Sequence, residues 1–225
     1  MYPSMFGDKG WYEFTPKAYQ HGALEIYWLS LKPEDRKRVV QNGWLNYLEG
    51  KNVNYAGDAL RADLERIRKR VEGIRADTTT PDTRLADEPL KLNPASVDSL
   101  IELAMGGIPP KNRGKLLFAN LRYFDPIKRR AGLPDDVAAL IETIQPDAVV
   151  VTLVNTSPVD ARSVVVQAGG YAEHQFTSVT IGGKSSEVNR SSFTVRLEPG
   201  CGSRLTLRMR RFVNAPTLAL PWPNY

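Results

Sequence analysis

The sequence has almost no cysteine and almost no histidine. Cys201 is the only cysteine, and His21 and His174 are the only histidines, among 225 residues. A single cysteine excludes an internal disulfide and leans the chain towards the cytoplasm. Neither histidine stands near Cys, His or carboxylate at ligand spacing, so no metal site is expected. No apolar run approaches the roughly 20 residues that a membrane-spanning helix needs. No Gly-rich phosphate loop of the P-loop or dinucleotide kind is present, and no cofactor is expected. The first six residues lack the basic segment and apolar core of a secretory signal. They begin abruptly, as a piece of a longer chain would.

What is present is an ordinary globular composition, 42% hydrophobic and 24% charged. The length allows one large domain or two small ones. Charge is uneven. Residues 1–110 carry 15 Lys/Arg against 16 Asp/Glu, whereas residues 111–225 carry 15 against 9. Outward Arg and Lys on strands are the ordinary source of such an excess. With no RNA-binding or zinc-finger motif, a nucleic-acid partner is not expected.

The second half alternates apolar and polar residues. Leu205, Leu207 and Met209 interleave with Arg204, Thr206, Arg208 and Arg210, and residues 193–197 have the same form. Period-two alternation predicts half-buried antiparallel strands. Pro199, Gly200 and Gly202 between these two runs predict a hairpin. Further strands are predicted at 116–123, 149–155, 163–167 and 171–180. Residues 137–144 fit a helix or a strand; strand neighbours favour a strand turning at Gln145-Pro146-Asp147. Six to eight short strands predict a β-sandwich. Pro216, Pro221 and Pro223 predict a tail laid over the surface.

The first half reads as helices. Thr15-Pro16 is expected to open the first, with Tyr19, Ala23, Ile26, Tyr27 and Trp28 apolar on several sides. A second is predicted from Pro33 to Leu48, with Val40, Trp44, Tyr47 and Leu48 inward. In the third, Leu60, Leu64, Ile67, Val71 and Ile74 are spaced 4, 3, 4, 3, one narrow seam for one partner element. A loop follows over 76–92, then a short helix capped by Asn93 and ended by Gly106-Gly107. The domain boundary is placed there: a helical segment at 1–107 and a sandwich at 108–225. The fold class is α+β.

The loop supplies the candidate chemistry. Acid–base work needs two carboxylates in different environments, and Asp77 and Asp82 flank a Thr-rich turn beside Arg84. Tyr19, Trp28 and Trp44 are candidate aromatic platforms, as carbohydrate sites combine paired acids with such rings. Asp and Thr are equally ordinary turn and capping residues. Glu173-His174 beside Tyr171 and Gln175 reads either as a polar cluster or as polar residues of a strand facing water, and the second is preferred; Cys201 has no partner that would make it a nucleophile.

Two stretches resemble a known group. They are residues 75–87, Arg-Ala-Asp-Thr-Thr-Thr-Pro-Asp-Thr-Arg-Leu-Ala-Asp, and residues 121–174. The second opens Leu-Arg-Tyr-Phe-Asp-Pro and closes Val-Gln-Ala-Gly-Gly-Tyr-Ala-Glu-His. Together they resemble the C-terminal region of large bacterial proteins with a helical toroid followed by a β-sandwich. The toroid is similar to that of six-hairpin glycosidases or linalool dehydratase/isomerase. The resemblance implies the last helices of a toroid, then a supporting sandwich, within a carbohydrate-active or lyase-like parent using carboxylates. It transfers no catalytic residue. Carbohydrate, the rest of a longer chain, or another copy are the partners it leaves open. The alternative is a non-catalytic module that docks a partner or glycan.

Overall fold

A computed structural model of the chain describes residues 2–4, 13–15, 20–80, 93–109 and 118–222. A short antiparallel pair, β1 (Tyr2–Ser4) and β2 (Glu13–Thr15), precedes five helices. These are α1 (Gln20–Ser30), α2 (Pro33–Arg36), α3 (Gly43–Leu48), α4 (Tyr55–Ala76) and α5 (Asp98–Met105). Nine strands follow: β3 (Leu121–Asp125), β4 (Arg130–Ala131), β5 (Val137–Gln145), β6 (Ala148–Asn155), β7 (Arg162–Ala168), β8 (Gln175–Ile181), β9 (Lys184–Arg190), β10 (Ser192–Leu197) and β11 (Gly202–Arg210).

The strands form two antiparallel sheets, ordered β10-β7-β3-β4 and β5-β6-β11-β8-β9. The alternation has its expected consequence. Leu205 and Leu207 sit opposite Val151 and Val149 of β6, and all four are fully buried. Cross-strand pairs of this kind are the unit of sheet stabilisation. Val164 and Val166 of β7 and Val195 and Leu197 of β10 complete the same core from the other sheet. Residues 137–144 are strand: β5 turns at Pro146-Asp147 and pairs with β6 from Gln145↔Ala148 to Val137↔Asn155. The edge strand β9 is exposed along most of its length and carries Lys184, Glu187 and Arg190, charges that discourage edge pairing.

The connection through Pro199 and Gly200 is not a hairpin. β10 pairs with β7, and β11 pairs with β6 and β8, so residues 198–201 cross from one sheet to the other. Alternation gives each strand one dry face, and a sandwich supplies two opposed dry faces. Spacing alone does not say which sheet a strand joins. The strand expected at 171–180 begins only at Gln175, because residues 169–174 fold as a loop with positive φ at Gly169 and Ala172. The strand expected from 116 begins at Leu121; Phe118 makes an isolated bridge with Ile108.

Helices α3 and α5 lie against β5. Leu140 and Ile144 of β5 pack on a cluster of Trp28, Trp44, Leu45, Leu103, Ile108 and Phe118, while Ile141 points into the sandwich. Strand periodicity thus makes β5 the shared wall of two cores. Thr15 closes β2 instead of opening α1. The helix expected over 33–48 is two. Gln41 has positive φ, and Asn42 Oδ1 accepts the Leu45 N–H at 2.9 Å, starting α3 anew. Val40, expected inward, is 62% exposed, and Val39 is buried in its place. Asn93 does not cap α5: its Oδ1 accepts the Ala95 N–H, and the helix begins five residues later. The Pro-containing tail runs over the surface, with Thr217 N–H donating to Tyr171 O and Trp222 edge-on to Phe124.

Candidate functional site

Of the six residues proposed from the sequence, Tyr19, Asp82 and Arg84 lie outside the described residues. Asp77 is the C-cap of α4, and its Oδ1 accepts both the Thr79 N–H at 2.9 Å and the Thr79 hydroxyl at 2.6 Å. That is a local Asp–Thr turn, which stops the helix by giving the backbone another partner. Trp28 and Trp44 are 1% and 2% exposed. Their rings lie 4.7 Å apart, and Phe118 stacks on Trp28 at 6.4 Å. They form the centre of the helical layer, and neither offers a ring face to a sugar. The Nε1 atoms of both indoles, and Glu25 Oε1, are buried without a partner among the described residues.

The seam of α4 is not the face that α5 covers. The buried residue of α4 is Asp63, not an apolar one. Its Oδ2 accepts the Ser99 N–H at 3.1 Å in the first turn of α5, and its Oδ1 accepts the Ser96 hydroxyl and pairs with Arg66. Asp63 is an N-cap supplied by a neighbouring helix. Burial works against its charge, but hydrogen bonds from Ser99 and Ser96 and the Arg66 charge outweigh that and lower its pKa. Tyr55 hydroxyl donates to Glu102 at 2.7 Å, a second clasp between the helices. Leu60 and Leu64 meanwhile stay 37% and 54% exposed.

The densest polar cluster surrounds the 169–174 loop. Glu173 and His174, expected to face water, are 7% and 0% exposed. Glu173 Oε2 accepts the Tyr171 N–H at 2.7 Å. His174 Nδ1 accepts the Phe212 N–H at 3.0 Å, with the Phe212 ring edge-on at 4.6 Å. An accepting Nδ1 places the ring proton on Nε2, which has no partner within hydrogen-bond reach. Burial, and the nearby Arg211 charge, push the His174 pKa down to about 4. Arg211 donates to Asn120 Oδ1 at 2.7 Å and to the carbonyls of Gln145 and Pro146. Asn120 in turn donates to Gly106 O, welding the end of α5 to the sandwich. Asn214 Nδ2 donates to Ala172 O and His174 O. Most of these bonds tie the loop to itself or to the tail, and Arg211 ties the tail to the end of β5.

Beside this cluster lies a cavity of about 300 Å³. α5 contributes Ile101 and Met105, the bridge contributes Ile108 and Phe118, and Leu218 of the tail closes one side. Arg122 and Gly170 line the wall between them. Arg122 Nη1 donates to Gly170 O at 3.1 Å, and its guanidinium lies 4.9 Å over the Phe124 ring.

No family model, no curated protein and no solved structure matches this chain. Among the described residues no group of three His, Cys, Asp or Glu is placed to hold a metal ion, and no helix is long and apolar enough to cross a membrane. Sequence reasoning missed Asn120, Arg122 and Arg211. The readable signal was Gly169-Gly170 followed by Glu173 and His174 between two strands, since polar residues beside paired glycines often bond a loop to itself. The partners come from 50 residues before and 40 after, and no local pattern announces them.

Proposed function

We propose that this chain is a supporting module of a larger helical protein, with the sandwich as a rigid base and the helices on β5 as the docking layer. The observation that supports the reading is the apolar surface that the helical layer leaves open beside a sandwich whose core is closed. The sandwich closes its own core, with Ile141, Val149, Val151, Leu153, Leu205 and Leu207 at 0% exposure. The helical layer closes a smaller cluster around Trp28, Trp44 and Leu45 and leaves other apolar residues open. Ile26, Leu29, Leu60, Leu64, Val97 and Leu100 are 37–54% exposed. Apolar residues gathered on one layer mark an interaction surface. The 4-3-4-3 spacing along α4 is that of a seam for another helix, flanked by Arg61, Glu65, Arg68 and Glu72 of both signs. On this reading the sugar- or lyase-type chemistry that the resemblance implies belongs to the wider helical body, and Asp77 serves as a turn residue.

A photo-crosslinking residue at Leu64, with Glu72 as the control position, tests this in cells. Capture of a helical segment from outside this sequence at 64 and not at 72 is expected. Equal yields at the two positions, or none at 64, overturn it. A sugar-hydrolysis screen on the longest natural chain that carries this sequence adds a second readout. Turnover unchanged by Asp77→Asn fits the module reading; turnover abolished in a folded protein returns Asp77 to catalysis.

A further inference from the structure

We propose that the cavity between α5, the Ile108–Phe118 bridge and the 169–171 loop is a binding site for an apolar monocarboxylate, held at its charged end by Arg122. Four observations carry this. First, the lining is apolar apart from Arg122, Tyr171 and backbone: Ile101, Met105, Ile108, Phe118 and Leu218 supply side chains that exclude water from a hydrocarbon chain or ring. Second, among the described residues Arg122 is the only charged residue of the lining and no carboxylate lines it, so this lining is complementary to negative charge. Third, the guanidinium is half-buried and already held. Nη1 is tied to Gly170 O, and the Phe124 ring supports its face. Fourth, Nε and Nη2 have no partner among the described residues, which leaves one edge of the fork for the two oxygens of a carboxylate.

Size narrows the class. A volume of about 300 Å³ is at the lower end for small-molecule sites and fits a medium-chain or arylalkyl acid. The site is separate from the α4 seam, and neither proposal depends on the other.

Titration of the full chain with octanoate, octylamine and octanol, followed by protein NMR, tests the assignment. Saturable octanoate binding that perturbs Met105 and Ile101, with octanol and octylamine about tenfold weaker, is expected. Arg122→Gln should weaken octanoate about tenfold and leave octanol unchanged. Leu218 is 75% exposed, so Leu218→Asp tests the same charge logic without risk to folding. It should weaken octanoate and not octylamine. Equal binding of all three ligands, octanoate binding retained in Leu218→Asp and Arg122→Gln, or no saturable binding up to about 10 mM overturns the proposal.

Discussion

Acid should destabilise this protein through His174. In the folded state His174 is fully buried, its Nδ1 accepts the Phe212 N–H, and its pKa is pushed down to about 4 from an ordinary 6.5. The unfolded chain therefore takes up a proton at higher pH than the folded one does. Stability from the neutral ring is complete above the unfolded value, falls as pH drops from about 6.5 to about 4, and is flat below that. A difference of about 2.5 units at 1.36 kcal/mol per unit amounts to about 3 kcal/mol. Protonation also turns Nδ1 from acceptor to donor, so the Phe212 N–H loses its partner, and the new cation meets the Arg211 charge, offset in part by Glu173 Oε1 at 4.0 Å from Nε2. The test is urea unfolding between about pH 7.5 and 4.5, compared with His174→Asn, whose amide oxygen can still accept from Phe212 and cannot titrate. Other titrating groups, including Asp63 and Glu142, are common to both proteins and cancel in the difference. The variant is expected to be less stable at neutral pH but to lose about 3 kcal/mol less on acidification. Parallel stability curves for the two proteins would refute the reasoning.

Three further outcomes follow from the geometry. Asp63→Ala removes the cap of α5 and leaves Arg66 without its buried partner, so a loss of about 2–3 kcal/mol is expected by denaturant unfolding. Gly169→Ala would place a Cβ 2.3 Å from Glu173 Oε2 at a φ of +86°, whereas Gly182→Ala meets nothing within 4 Å at +54°. Calorimetry should therefore show a loss of about 3 kcal/mol or more for the first and about 1 kcal/mol for the second. Trp44→Ala opens a cavity against Trp28 and Leu45, and a loss of about 3–5 kcal/mol with weakened packing on β5 is expected.

The strands were legible in the sequence because each carries its own signal. Leu205, Leu207 and Met209 alternate with polar residues whichever sheet they join, so strand and face could be read while the partner could not. The 198–201 corner shows the limit: hairpin and sheet-to-sheet crossing use the same Pro and Gly. In the helical half, the α4 seam is a narrow apolar stripe in the sequence, but burial depends on a neighbour, and the residue of α4 that α5 buries is Asp63. The same non-locality hid the polar cluster. His174 and Glu173 allow a polar cluster or a water-facing strand in the sequence, and only Phe212 and Asn214, brought back over them, decide for the cluster. Trp28 and Trp44 read as open platforms until they are seen to face each other.

The way the chain switches sheets has a kinetic consequence. β6 to β7, β7 to β8, β9 to β10 and β10 to β11 all step from one layer to the other. No stretch short of nearly the whole second half can therefore close either layer by itself. Ordering must wait for partners distant along the chain, whose loop-closure entropy slows the process. Folding on the millisecond-to-second scale follows, and a cut at the exposed Gly182-Gly183 turn should yield two pieces, each without lasting structure, that recover it only when mixed.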